Sequence, residues 1–223
     1  MISFSRRHLP HYDLKRSTYF VTACLAGSIP ATGLHNIRRR KAELAGRPCP
    51  ADVSPACWRA KARSESFEIS EDWLDSGSGS QWLKDHRLAA IVRDELLRHA
   101  CDYYDLHAYV IMPSHFHCVF TPGPNWDTGP IGGEASRVSP RSAIVRLIKG
   151  RSALACNRVL RRVGAFWQNE SYDRVVRDGE EFEQFVNYVE LNPVKAGLCR
   201  RPEEWEFSSA SRTGFSLSGK TTG

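Results

Sequence analysis

The stretch "YDLHAYVIMPSHFHCVFTP", residues 104 to 122, decides the fold. Residues 104 to 113 and 115 to 122 are rich in β-branched and aromatic side chains, as strands are, and Pro113 with Ser114 marks a turn between them. The stretch therefore reads as a β-hairpin. Side chains alternate faces along a strand, so His115 and His117 share one face while Phe116 points the other way, into a core. Two imidazoles on one side can grip a metal ion, which then needs further ligands from elsewhere. Taken alone, His-x-His also describes ordinary core or surface histidines. His107, on the preceding strand, is one candidate for a third ligand if the register allows it, and otherwise packs or hydrogen-bonds.

Working outward, "TYFVTACLAG" (18 to 27) reads as a strand. Leu88, Ile91, Val92 and Leu96 share one face of a helix from Leu83 to Ala100. Ser139 or Ser142 caps a helix running to about Val163, with Ile144, Leu147, Ile148, Ala155 and Val159 on its apolar side and Arg146 and Lys149 pointing away. "YDRVVR" (172 to 177) is a short strand, and a last helix runs from Gly179 to Leu191, stopped by Pro193. The first six elements spell βαββαβ, which predicts an α+β chain: a ferredoxin-like antiparallel sheet with helices on one side, followed by a C-terminal helix. Residues 28 to 80 read as an irregular insertion with one or two short helices, ending in a flexible "SGSGS". Residues 207 to 223 read as a flexible tail, and the whole of 1 to 223 as one domain.

The 41% hydrophobic content of the 223 residues supplies a sizeable core, yet no run of about 18 apolar residues exists to span a membrane. "MISFSRRHLPHYDLKR" lacks the apolar segment of a secretory signal, so a cytoplasmic protein is expected. The seven cysteines are odd in number and form no CxxC, which argues for free, mostly buried thiols and against a structural zinc site. Net charge is +6 and the pI about 9.0. From Arg137 to Arg177 ten basic residues face only Glu170 and Asp173, so the positive charge is concentrated there, as a phosphate-binding face or a solvated helix would require.

In the last helix, Phe182, Phe185, Val186 and Val189 make the apolar stripe, and Tyr188 and Asn192, four apart, share a face bordering it. Both can reach the sheet surface from which the histidines project. Asn192 would bring a neutral oxygen and Tyr188 a phenol, whose ordinary pKa near 10 makes it a poor nucleophile until positive charge favours the phenolate. In isolation Tyr188 reads as packing, and Asn192, before Pro193, equally well as a helix-ending residue.

Together these residues resemble a known family. His115-Phe116-His117 resembles the HUH signature, and the Tyr188-x-x-x-Asn192 helix resembles that of the single-tyrosine HUH transposases. In order, "MPSHFHCVF", "RLIKGRSA", "FWQNESYDRVVRD" and "YVELNPVKAGL" resemble REP-associated tyrosine transposases, over roughly Phe4 to Ala210. "LDSGSGS" is similar to a degraded form of the family's glycine segment, and Ser171 stands where an aromatic residue is expected. The resemblance implies a metal-dependent endonuclease and strand transferase on single-stranded or hairpin DNA from repetitive extragenic palindromes (REP). Tyr188 would be the nucleophile, forming a 5′-phosphotyrosine, and His115, His117 and Asn192 would hold Mg²⁺ or Mn²⁺. Arg146, Lys149, Arg151 and Arg158 would line a groove for the DNA backbone, with Arg174, Arg177 and Lys195 near the site. Phe166, Trp167 and Tyr172 are candidate base-stacking residues, and "SRRHLPHYDLKR" a basic arm. A monomer or weak homodimer is expected. The competing readings are a DNA-binding protein that does not cut, and a phosphoesterase in which the metal activates water.

Overall fold

The computed structural model describes residues 3–6, 10–13, 17–126 and 138–211. Two short strands, β1 (Ser3–Arg6) and β2 (Pro10–Asp13), pair as an antiparallel ladder of their own, and the rest of the expected basic arm lies outside the described residues. The central sheet contains β3 (Tyr19–Cys24), β4 (Tyr104–Ile111), β5 (His115–Pro122) and β6 (Tyr172–Val175) in the order β4-β5-β3-β6. Every neighbouring pair is antiparallel, so β3 and β4 run parallel with β5 between them, the split βαβ arrangement predicted above.

The polar residues bounding the helices explain where they start. Ser54 accepts a bond from Cys57 N and Pro55 opens α2 (Pro55–Asp75); Asp85 caps α3 (His86–Arg98); Ser139 caps α4 (Pro140–Val159); Asp178 caps α5 (Gly179–Lys195). Tyr19, Val21 and Ala23 of β3 and Phe116, Cys118 and Phe120 of β5 face α3 and α4, meeting Leu88, Val92, Leu96, Ile144 and Ile148. Phe20, Val110 and Val119 face the other way, toward Phe185, Val186 and Val189 of α5 and Phe67 of α2. The two helices of the βαββαβ unit thus lie on one side, and α5 covers the opposite face of the sheet.

Residues 28 to 80 are not irregular. They form α1 (Ala31–Gly46) and α2, a helical hairpin with its own small core of Ile29, Ile37 and Leu74. Nor is "SGSGS" loose: Ser80 N donates to the carbonyl of Gly27 at 2.9 Å, joining the two ends of the excursion. Gly77 takes φ +66°, open to a residue without Cβ, and a Cβ on Gly79 would fall 2.0 Å from the Ser28 carbonyl oxygen. Because that neighbour is backbone, Gly79→Ala is expected to cost about 2 kcal/mol, read as a lower midpoint in chemical denaturation.

Three further expectations change. α5 continues to Lys195 with Pro193 inside it, because a proline in the last turn forfeits only one backbone bond. The segment from 207 to 211 is docked rather than loose: Phe207 is buried, its carbonyl accepts from Ile111 N at 2.8 Å, and Ser208 bridges to Val110. Residues 212 to 223 lie outside the described residues. All seven cysteines are free, but only Cys118 and Cys156 are buried, while Cys49, Cys57 and Cys101 are exposed. Among the described residues no helix is long and apolar enough to cross a membrane.

Candidate metal and nucleophile site

Strand register brings the site together. Thr22 of β3 and Val110 of β4 flank His117 of β5, and Cys24 lies opposite His115. Both histidines project toward α5 and are buried, at 1% and 0% exposure. Phe20 stacks on the His117 ring at 5.5 Å and on Phe185 at 4.5 Å, which fixes that imidazole from the side. The two Nε2 atoms are 2.9 Å apart. Each Nδ1 meets a hydroxyl, Thr22 Oγ1 at 2.8 Å and Ser114 Oγ at 2.9 Å. A ring that gives its Nδ1 hydrogen to such a hydroxyl turns an Nε2 lone pair toward its neighbour.

A carboxylate completes the cluster. Glu71 Oε2 lies 3.0 Å from His117 Nε2 and 3.9 Å from His115 Nε2. With each Nδ1 hydrogen given to its hydroxyl, all three atoms facing this point are acceptors, an arrangement that a cation between them would satisfy. Ligands held at about 2.1 Å and at right angles are about 3 Å apart; His117 Nε2 stands at that separation from both His115 Nε2 and Glu71 Oε2, at 2.9 and 3.0 Å, while the latter two are 3.9 Å apart. Asn192 Nδ2 comes within 3.5 Å of His117 Nε2, and its Oδ1, like Glu71 Oε1, is buried without a hydrogen-bond partner. This buried Glu–His–His group, with the Asn192 side-chain amide beside it, suits a divalent cation.

Tyr188 Oη donates to Glu71 Oε2 at 2.6 Å, and its ring is 5.5 Å from that of His117. Burial, then the Glu71 charge, raises the Tyr188 pKa above its ordinary value, so the phenol is protonated at rest. Burial pushes His115 down to about 3, helped by His117, so it is a neutral imidazole at physiological pH. For Glu71 burial acts upward, but His117 and the hydrogen bond from the Tyr188 hydroxyl outweigh it and lower the carboxylate's pKa. All of these groups belong to one chain, so Tyr188 stands at its own chain's histidines. A cavity of about 350 Å³ opens beside His115, bounded by Leu74, Asp75, Gln81, Lys84 and Leu198.

The structure brings His115, His117, Tyr188 and Asn192 together. His107 instead bonds to Thr121 Oγ1 at 2.8 Å and abuts Phe182. Of the cations, Lys195 Nζ lies over the Tyr188 ring at 5.8 Å, whereas Arg174 and Arg177 are tied to Glu181 at the start of α5. Arg146, Arg151 and Arg158 ride on α4, across the sheet from the histidines, and Arg151 pairs with Glu95. Arg141 is buried against Asp173 at 2.7 Å, and Arg137 lies outside the described residues. Phe166 and Trp167 are core residues, so of the three candidate stackers only Tyr172 stands at the site, stacked on Phe67 at 4.5 Å.

Lys149 is a structural cation. Its Nζ donates to the carbonyls of Gln168 and Asn169 and to Ser171 Oγ, and burial lowers its pKa from 10.5 to about 8. Between about pH 8 and 10.5 the unfolded chain holds the Lys149 proton that the folded chain has released. Stability relative to Lys149→Met should therefore rise with pH across that window, as thermal melts of both proteins would record.

Glu71, Thr22 and Ser114 escaped the sequence reading. Glu71 carried a signal: Phe67, Glu71 and Leu74 fall at i, i+4 and i+7, so the carboxylate occupies the buried stripe of a helix. A carboxylate in that position needs a partner.

No family model matches the chain. It is 27% identical over 124 residues to a REP-associated tyrosine transposase of Escherichia coli strain K12, across 53% of this chain. The chain is similar to the REP-associated tyrosine transposases. A Haemophilus influenzae protein provisionally given the same name is 26% identical over 119 residues, 52% of this chain. The chain spans 65% of the length of each of these relatives. A solved REP-associated tyrosine transposase bound to a REP hairpin superposes with a TM-score of 0.51 at 16% identity, covering 91% of this chain and 82% of that one. At that identity the likeness is one of fold, and it agrees with the four-stranded antiparallel sheet described above.

Proposed function

We propose that this chain is a metal-dependent single-stranded DNA endonuclease and strand transferase acting on REP hairpins through a 5′-phosphotyrosine. The observation that carries this reading is the Tyr188 hydroxyl, 2.6 Å from a carboxylate that itself stands 3.0 Å from His117 Nε2. A nucleophile and a cation-binding group thus share one buried site. The relatives' name supports the choice of REP DNA as substrate.

His115, His117 and Asn192, the residues matched to the family's motif, would hold Mg²⁺ or Mn²⁺. When bound, the ion would polarise a non-bridging phosphate oxygen. Tyr188 Oη attacks the phosphorus, forming the Oη–P bond as the P–O3′ bond breaks, and the departing 3′ oxygen takes up a proton as a 3′-OH. Glu71 Oε2, which accepts the Tyr188 hydrogen bond at rest, is the nearest acceptor for the phenol's proton. Another 3′-OH reverses the step and joins a new strand, so no nucleotide cofactor is needed. Phe20 and Phe185 exclude water from the His117 side of the site. The cavity beside His115, with Lys84 at its rim, offers a route for the strand. Lys195, beside the Tyr188 ring, is the site's own cation for DNA, while Arg146, Arg151 and Arg158 would contribute only to DNA that wraps round to the α4 side.

The test is a denaturing gel with a 5′- or 3′-labelled single-stranded REP hairpin and Mn²⁺. The reading requires a slow-migrating protein–DNA species that appears only with metal. Cleavage without an adduct would make the protein a water-activating phosphoesterase. Tight binding with no cleavage would make it a DNA-binding protein.

A further inference from the structure

The excursion between β3 and α3 reaches the site at two points. Glu71 Oε2 holds the Tyr188 hydroxyl, while Glu71 Oε1 is buried and has no hydrogen-bond partner. Oε2 thus meets both the phenol and the histidine pair, while Oε1 is left without a hydrogen bond inside a carboxylate only 2% exposed. A buried, ionised oxygen without a partner is costly unless a cation meets it. The second point is the carbonyl of Leu74, one turn later on α2. Ser114 Oγ donates to it, in a long bond of 3.5 Å, and the same hydroxyl lies 2.9 Å from His115 Nδ1. A hydroxyl has one hydrogen. If Leu74 takes it, Ser114 accepts the Nδ1 hydrogen of His115, and the His115 Nε2 lone pair faces the cluster.

The position of α2 is itself determined by packing. Phe67 stacks on Tyr172 and lies 5.8 Å from the Tyr188 ring. Gly33 of α1 lies so close to Trp73 that a Cβ would come within 2.8 Å of its ring. The ends of the excursion are joined by the bond between Gly27 and Ser80. The hairpin is thus a closed module fastened to the sheet, with one acidic side chain delivered to the histidines.

We propose that the α1–α2 hairpin is part of the metal site: Glu71 is a ligand to a divalent cation, and its carboxylate also positions the Tyr188 hydroxyl beside that cation. This rests on reading the histidine pair as a metal site. It adds a ligand that the family motif does not contain, and it gives the excursion a chemical task. With Glu71 the donor set becomes two imidazoles, a carboxylate and the Asn192 amide, which should bind Mn²⁺ more tightly than Mg²⁺.

The experiment is a Mn²⁺ titration of the full chain without DNA, following the paramagnetic resonance signal of free Mn²⁺. Wild type, Glu71→Gln, His117→Ala and Tyr188→Phe are compared, with thermal melts to show that each is folded. Glu71→Gln keeps the shape of the side chain and removes its charge. It is expected to weaken Mn²⁺ binding by roughly 10- to 100-fold, whereas Tyr188→Phe should stay within about threefold of wild type. A second readout needs no variant to fold unaided: the infrared difference spectrum of wild type with and without Mg²⁺ should contain a shifted carboxylate stretch. If Glu71→Gln binds Mn²⁺ like wild type while His117→Ala does not, Glu71 is no ligand and the hairpin only covers the site. Wild type that fails to bind Mn²⁺ would overturn the metal site and the proposed function together.

Discussion

Tyr188→Phe should abolish the covalent protein–DNA species while leaving Mn²⁺ binding intact. Phenylalanine keeps the ring that packs against Phe20, Phe67 and His117, so the site retains its shape. Only the hydroxyl is lost, and with it the atom that the proposed mechanism joins to phosphorus. Removing a nucleophile that acts as a unit with its surroundings commonly costs at least about 10³-fold in rate. The loss would be read as the disappearance of the slow-migrating band at equal protein and metal. The variant also frees Glu71 Oε2 from its hydrogen bond, a change expected to move stability by only about 1 kcal/mol. A Tyr188→Phe protein that still nicks the hairpin would assign the chemistry to water, and Tyr188 would be a packing residue.

Mn²⁺ should stabilise the wild-type fold strongly, and His117→Ala should remove that response. Two imidazole nitrogens 2.9 Å apart and a carboxylate oxygen 3.0 Å from the nearer of them converge on one buried point. A cation there would satisfy all three, and it would bind the folded state alone because the unfolded chain scatters residues 71, 115 and 117. At a hundredfold excess over its dissociation constant, such a ligand adds about 2.7 kcal/mol, or about 5 to 10 °C in Tm for a chain of this size. In His117→Ala the shift on adding Mn²⁺ should fall to near zero, and a chelator should reverse the wild-type shift. The comparison is made within each variant, since losing His117 also leaves the Glu71 carboxylate without its nearest partner. An equal shift in both proteins would place the ion elsewhere.

Most of the sheet was legible because its signals are local. Alternation along residues 104 to 122 announced the hairpin, and Pro113 with Ser114 marked its turn, as β4 and β5 bear out. The same alternation put His115 and His117 on one face, and the four-residue spacing of Tyr188 and Asn192 put them on one helix face. Both pairs then meet because α5 packs on the face from which the histidines project. The excursion was harder to read. Its glycines, prolines and serines suggest loops in isolation, yet α1 and α2 form because they bury Ile37, Leu74 and Trp73 against each other. The environment of the cationic residues was hidden for a related reason: sequence reports charge but not the pairing of that charge. Arg141 is neutralised by Asp173 and Arg174 by Glu181, while Lys149 is spent on backbone carbonyls.

The sequence by itself determined the βαββαβ order, the paired histidines and the phenol one helix face away, since each follows from a period of two or of 3.6 residues. Tertiary structure alone decided that a carboxylate 44 positions before His115 would join them. It also decided that the basic residues of α4 would lie across the sheet. Such facts depend on how separate elements pack, and no local period encodes which side chain of a distant helix faces a given strand.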